Sequence, residues 1–173
     1  MAGRGENMSG KVVFTVGSVL RGDDAAGPML AKMMEENPIP GWEVIDGGQM
    51  PEDELSVVRR KNPDVMLVVD AADMGLPVGS LHVIDEDEVV SDFMVTTHSL
   101  PITYLLGELR KCCGTVVFLG IQPGHSEFFG ALSPEVMDAV QKIYDFLSKK
   151  IDFADLDASI STPSEDDDAT GEA

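Results

Sequence analysis

The stretch Val65-Met66-Leu67-Val68-Val69-Asp70 decides the fold. Five consecutive apolar residues, three of them β-branched, suit a strand buried on both faces rather than one that alternates between core and water. The carboxylate that closes it stands where the chain leaves the core. Working back from it, Glu52–Lys61 reads as a short helix through Leu55, Val57 and Val58, preceded by a strand at Trp42–Asp46. Earlier still, Ala25–Asn37 carries Met29, Leu30, Met33 and Met34 at helical spacing, with Pro28 tolerated in the first turn. A β-branched run, Lys11–Gly17 (KVVFTVG), comes before it.

Working forward, Leu81–Asp85 is a short strand reached without room for a helix, so it is expected antiparallel or at an edge. Leu100–Cys113 reads as a helix that Gly114 stops, and Thr115–Ile121 (TVVFLGI) as a fifth strand. Pro134–Lys150 closes with an amphipathic helix bearing Val136, Val140, Ile143, Tyr144 and Leu147. Strands alternating with helices predict an α/β fold: a single-domain, open, twisted, five-stranded and mostly parallel sheet with helices on both faces.

The chain has 173 residues, with 12 Lys and Arg against 31 Asp and Glu, a formal net charge of −19. Such a surface repels phosphate backbones, so neither nucleic acid nor an anionic membrane is an expected partner. No apolar run approaches the ~18–20 residues that span a bilayer, and the first residues lack the order of a signal peptide. Cys112 and Cys113 are adjacent and form no disulfide framework. A cytoplasmic protein is expected. Eight of the acids fall in residues 152–173, which contain no Lys or Arg. Residues 1–151 are therefore read as the folded domain and 152–173 as an acidic tail, disordered from about residue 159 for want of apolar material.

In open α/β sheets ligands sit beyond the carboxyl ends of the strands. The polar residues expected there are Ser18, Asp23 and Asp24 after the first strand, Asp46 after the second, Asp70 and Asp73 after the third, and Gln122 after the fifth. His98 joins them from Thr96-Thr97-His98-Ser99-Leu100-Pro101. The glycines at 17 and 22 invite a phosphate-loop reading. However, Gly-Lys-Ser/Thr and G-x-G-x-x-G are both absent and two aspartates would repel a phosphate. A helix N-cap would account for either Asp23 or Asp24, but not for both. Two carboxylates and an imidazole at one sheet edge suit a divalent transition ion with open coordination positions. His82, inside a strand, reads as structural. His125, in Gln122-Pro123-Gly124-His125, lies at the correct edge with a weaker claim. With no G-x-S-x-G elbow, Cys–His signature or H-E-x-x-H helix, hydrolysis would fall to a metal rather than to a side-chain nucleophile.

At these residues the sequence resembles the nickel–iron hydrogenase maturation endopeptidases, in the branch that processes the large subunit of formate-hydrogenlyase-type (hydrogenase 3) enzymes. Five stretches carry the resemblance in order: VGSVLRGDDAAGP, VIDGGQMPED, VVDAADMGLPVGSLHVID, TTHSLP and FLGIQP. It implies the five-stranded α/β sheet. It also implies an aspartic-type endopeptidase that removes a C-terminal extension from the large-subunit precursor once nickel is in place. The family's nickel-contacting positions map onto Asp24, Asp70 and His98, which serve as both metal site and catalytic set. The nickel is contributed mainly by the precursor, which is the implied partner. One position departs from the pattern: Ser18 stands where the family usually has Asn. Two rival readings use the same edge. A non-catalytic nickel-sensing chaperone would share the ligands. A magnesium-dependent phosphoacceptor domain would need a lysine after the last strand, where Ile121-Gln122-Pro123-Gly124 has none, and would leave His98 without a task.

Overall fold

The computed structural model describes residues 10–85 and 102–149. Within them the five apolar runs are strands of one sheet: β1 Lys11–Thr15, β2 Glu43–Asp46, β3 Val65–Ala71, β4 Leu81–Ile84 and β5 Thr115–Ile121. Their order is β2-β1-β3-β5-β4. All neighbours are parallel except β4, which runs antiparallel to β5 at the edge. The short strand with no helix before it is thus both antiparallel and peripheral. β3 is central, as its uninterrupted apolar run requires.

Among the described residues four α-helices cover the sheet: α1 Ala26–Glu36, α2 Leu55–Lys61, α3 Ile102–Arg110 and α4 Pro134–Ser148. Alternation along the strands divides the core in two. Val12, Phe14, Met66, Val68 and Phe118 meet Leu55 and Val58 of α2 and Leu105, Leu106 and Leu109 of α3. Val13, Leu67, Val69, Leu119 and Ile121 meet Leu30 and Met34 of α1 and Val136, Val140 and Ile143 of α4. Each such side chain contributes about 1.5–3 kcal/mol when fully buried, so both faces of the sheet are held by apolar burial. Among the described residues no helix is long and apolar enough to cross a membrane.

Element ends differ from the sequence expectation in physically simple ways. β1 stops at Thr15 rather than Gly17, although the Val16 N–H still donates to Val69 O at 3.0 Å. The segment expected as one helix from Glu52 opens with a 3-10 turn, Pro51–Glu54, and becomes α-helical at Leu55. α2 ends on Asn62, whose φ of 45° places it in the left-handed region that asparagine tolerates. His98, its TTHSLP segment and the acidic tail lie outside the described residues.

This topology has a switch point. From β1 the chain moves through α1 to β2 on one side, whereas from β3 it moves to β4 and β5 on the other. Loops leaving two adjacent parallel strands in opposite directions open a crevice at their carboxyl ends. β1 and β3 form that pair.

Candidate functional site

The loop after β1 is shaped by its own backbone. Gly17 has a φ of +147°, and a Cβ there would run into the carbonyl oxygen of Asp24. The absence of a side chain lets the loop fold back on itself. The Ser18 N–H then donates to Asp24 Oδ2 at 3.0 Å and to Asp24 O at 3.2 Å. The Ser18 hydroxyl accepts the Leu20 N–H at 3.3 Å, so serine supplies the turn contact at the position where the resemblance expects asparagine. Asp24 is 3% exposed and borders a cavity of about 270 Å³ also lined by Ala71, Asp73, Pro123, Gly124, His125 and Ser126.

Asp70 is fully buried near the end of β3, opposite Gly120 of β5. By alternation it belongs to the face of Met66 and Val68, which α2 and α3 cover. Its successor Ala71 lines the cavity, and Asp24 lines it from the turn Gly22–Ala25. Asp70 thus stands near the carboxyl end of β3, and Asp24 nine residues beyond the last residue of β1. Among the described residues no group of three His, Cys, Asp or Glu side chains is gathered for a metal. The third expected member, His98, lies outside those residues, four positions before α3 begins.

The aspartate pair is sorted by its partners. Neither residue caps a helix through its side chain. Asp23, fully buried, accepts four hydrogen bonds: from Gly124 N–H at 2.8 Å, His125 N–H at 3.2 Å, Ser133 N–H at 2.6 Å and the Ser133 hydroxyl at 2.7 Å. Its own N–H donates to His125 O at 3.0 Å. Burial pushes its pKa up, but the hydrogen bonds from Ser133, Gly124 and His125 outweigh this and hold it below the ordinary value of 3.8. Asp23 is a clamp between the β1 loop and the β5–α4 loop. Ser133 sits at the N-cap of α4 ahead of Pro134, yet it makes no side-chain cap because its hydroxyl goes to Asp23.

The other expected residues fall into supporting places. Gln122 accepts the Met74 N–H at 2.7 Å and the Leu76 N–H at 3.3 Å, and its amide donates to Asp73 Oδ1 at 3.2 Å, which fixes the β3–β4 loop along the cavity. Asp46 accepts the Thr15 hydroxyl and the Gly48 N–H and holds a turn. His82 sits within β4 opposite Gly120, as its strand position implies. His125 does reach the cavity. Its ring packs against Gly22 (φ +48°) and Gly130, where any Cβ would collide with it, and among the described residues its buried Nδ1 has no hydrogen-bond partner.

The cysteines lie at the opposite end of the sheet, just before the first residue of β5. Burial and the neighbouring Cys112 push the Cys113 thiol up to about 12. At about pH 8 Cys113 is expected to resist iodoacetamide while folded, and C112A/C113A to keep its activity within about twofold, because neither thiol lines the cavity. Loss of activity in a well-folded double variant would place a thiol in the chemistry.

Comparison with known proteins identifies relatives of this chain and of its fold. Residues 28–150 match the family described as hydrogenase maturation protease (HycI). The hydrogenase 3 maturation protease of Escherichia coli K12 is 42% identical over 133 residues, covering 77% of this chain and 85% of that protein. A crystal structure of a hydrogenase 3 maturation protease superposes with a TM-score of 0.76 at 40% identity, covering 82% of this chain and 90% of its own. A nickel–iron hydrogenase maturation protease from Thermococcus kodakarensis gives 0.70 at 26% identity, covering 80% and 90%.

Proposed function

This chain belongs to the hydrogenase maturation protease family and is a protease, and from that premise we propose that it removes the C-terminal extension of a nickel-loaded hydrogenase large-subunit precursor. In this reading Asp24, Asp70 and His98 are at once the nickel contacts and the catalytic set. The observation that carries it is the burial of Asp70 near the end of β3 and of Asp24 in the turn that follows β1, the strand pair at the switch point, with Asp24 beside an open cavity. Burying a carboxylate is costly, and a bound cation would offset that cost. The donor set fits a divalent ion.

Nickel belongs to the substrate. Two carboxylates and one imidazole are an incomplete set for it, and the precursor's own thiolates supply the remainder. Nickel is the recognition element that marks a loaded precursor, and when bound it would also offer Lewis acidity to the hydrolysis. The chain's part is to present Asp24 and Asp70 to the ion and to admit the polypeptide to the cavity. The folded unit is residues 1–151 with 152–173 as an appended acidic tail, and two reduced cysteines suit action in the cytoplasm.

The test is incubation with nickel-loaded and nickel-free precursor, followed by mass spectrometry. A C-terminal mass loss in the loaded precursor alone is expected. Calorimetry on the protease by itself should find nickel binding much weaker than in the presence of precursor. Nanomolar affinity in the isolated protein would instead assign a resident cofactor.

A further inference from the structure

Large apolar side chains stand in water around the cavity. Phe129 is 85% exposed, Val19 69%, Phe128 59% and Leu20 46%. They come from two loops that the backbone ties together: the Phe129 N–H donates to Leu20 O at 2.7 Å, and Arg21 bridges to Phe128. The Arg21 guanidinium lies 4.1 Å from the Phe128 ring centroid, a cation–π contact that fixes the ring. Phe129 has a φ of 59°, in the left-handed region that is costly for a bulky residue. The fold thus maintains a strained backbone in order to display a phenyl ring to solvent. Strain of this kind persists where surrounding structure imposes it, and it clusters at ligand clamps.

These loops also build the cavity. Asp24 lies three residues after Arg21, and His125 three before Phe128, and both line it. On the β4 side of the cavity, Leu76 and Val78 are also exposed, with Val78 beside the cavity residue Gly124. An acidic cavity is therefore flanked by two apolar lips. A second copy of this chain is a poor occupant, since two molecules of formal charge −19 repel one another. A protease cavity must receive a polypeptide, and the lips are continuous with it.

Resting on the function proposed above, we propose that the Val19–Leu20–Phe128–Phe129 lip, with Leu76 and Val78 facing it, is the docking surface for the precursor polypeptide. The precursor presents apolar side chains to the lips on either side of the segment that enters the cavity. Phe129 is the anchor, because aromatic side chains at the centre of a contact dominate its energy.

The test uses Phe128→Ser and Phe129→Asn, singly and together, in the full chain. Asparagine tolerates the left-handed backbone at position 129, so melting temperatures should not fall. Steady-state processing of nickel-loaded precursor should show KM raised on the order of ten- to a hundredfold in the double variant with kcat nearly unchanged. Direct binding of precursor, measured by interferometry, should weaken in parallel. Unchanged KM and binding in a folded double variant would overturn the proposal. So would a wild-type dimer that the variants dissolve, or affinity gained through the same residues when the chain is cut after residue 151; these results would assign the lip to a second copy or to the acidic tail. Wild-type protein that binds precursor through the lip but never cleaves it would sink the cleavage reading and leave the docking surface standing.

Discussion

Asp24→Asn and Asp70→Asn are each expected to stop precursor processing while leaving the fold intact. Asparagine at position 24 still offers an oxygen to the Ser18 N–H, so the β1 loop keeps its shape. Asparagine at position 70 keeps the volume of a fully buried side chain. Each variant replaces a carboxylate by an amide of nearly the same volume, so the packing around it is kept. In the function proposed above, what disappears is a carboxylate donor to the cation carried by the precursor. Replacing partners one layer out from a metal typically costs about 10–100-fold, and losing a direct ligand should cost more. Mass spectrometry of the product, beside melting curves, separates chemistry from folding. A fully active Asp70→Asn or Asp24→Asn protein would remove that carboxylate from the reaction.

Asp23→Ala should do the reverse and act first on stability. It leaves the Gly124, His125 and Ser133 N–H groups without their acceptor in a region closed to solvent at Asp23. Hydrogen bonds to a charged acceptor contribute about 1.5–3 kcal/mol each but do not add independently, so a loss of about 3–4 kcal/mol is expected. In a domain of this size that corresponds to a melting temperature lower by about 10 °C. The pH dependence follows from the same bonds. Because the Asp23 pKa is lowered in the folded state, the unfolded chain binds more protons in the acid range. The carboxylate's contribution is full above the unfolded value near 3.8 and is lost as pH falls through the lower folded value. Wild-type stability should therefore drop on acidification below that point, and Asp23→Ala should drop less. Parallel acid curves for the two proteins would show that the clamp carries no charge-dependent stability.

The two aspartates are neighbours in sequence and differ in every consequence, which marks the limit of what the sequence conveys. An acidic pair after the first strand was legible, and so was the rule placing it at the working edge of the sheet. Which of the two is consumed by structure was not. The family resemblance points to Asp24, and in the structure Asp23 is committed to Gly124, His125 and Ser133. Ser133-Pro134 reads locally as a helix start, and it is one, but its hydroxyl is diverted to Asp23. Phe128 and Phe129 carry no periodic signal, and only their attachment to Leu20 and Arg21 brings them to the rim of the cavity.

By itself the sequence determined the strands and helices, the centrality of Val65–Asp70, the edge position of Leu81–Ile84 and the placement of Asp70 near the end of its strand. These follow from burial, and burial is written locally, as the period and length of apolar runs. Tertiary structure alone decided the clamp, the cavity wall contributed by His125 and the apolar lips. Asp23 and its partners lie 101 to 110 residues apart. Contacts at that separation exist only because β5 lies next to β3 and β3 next to β1, an order that no local pattern of hydrophobicity encodes.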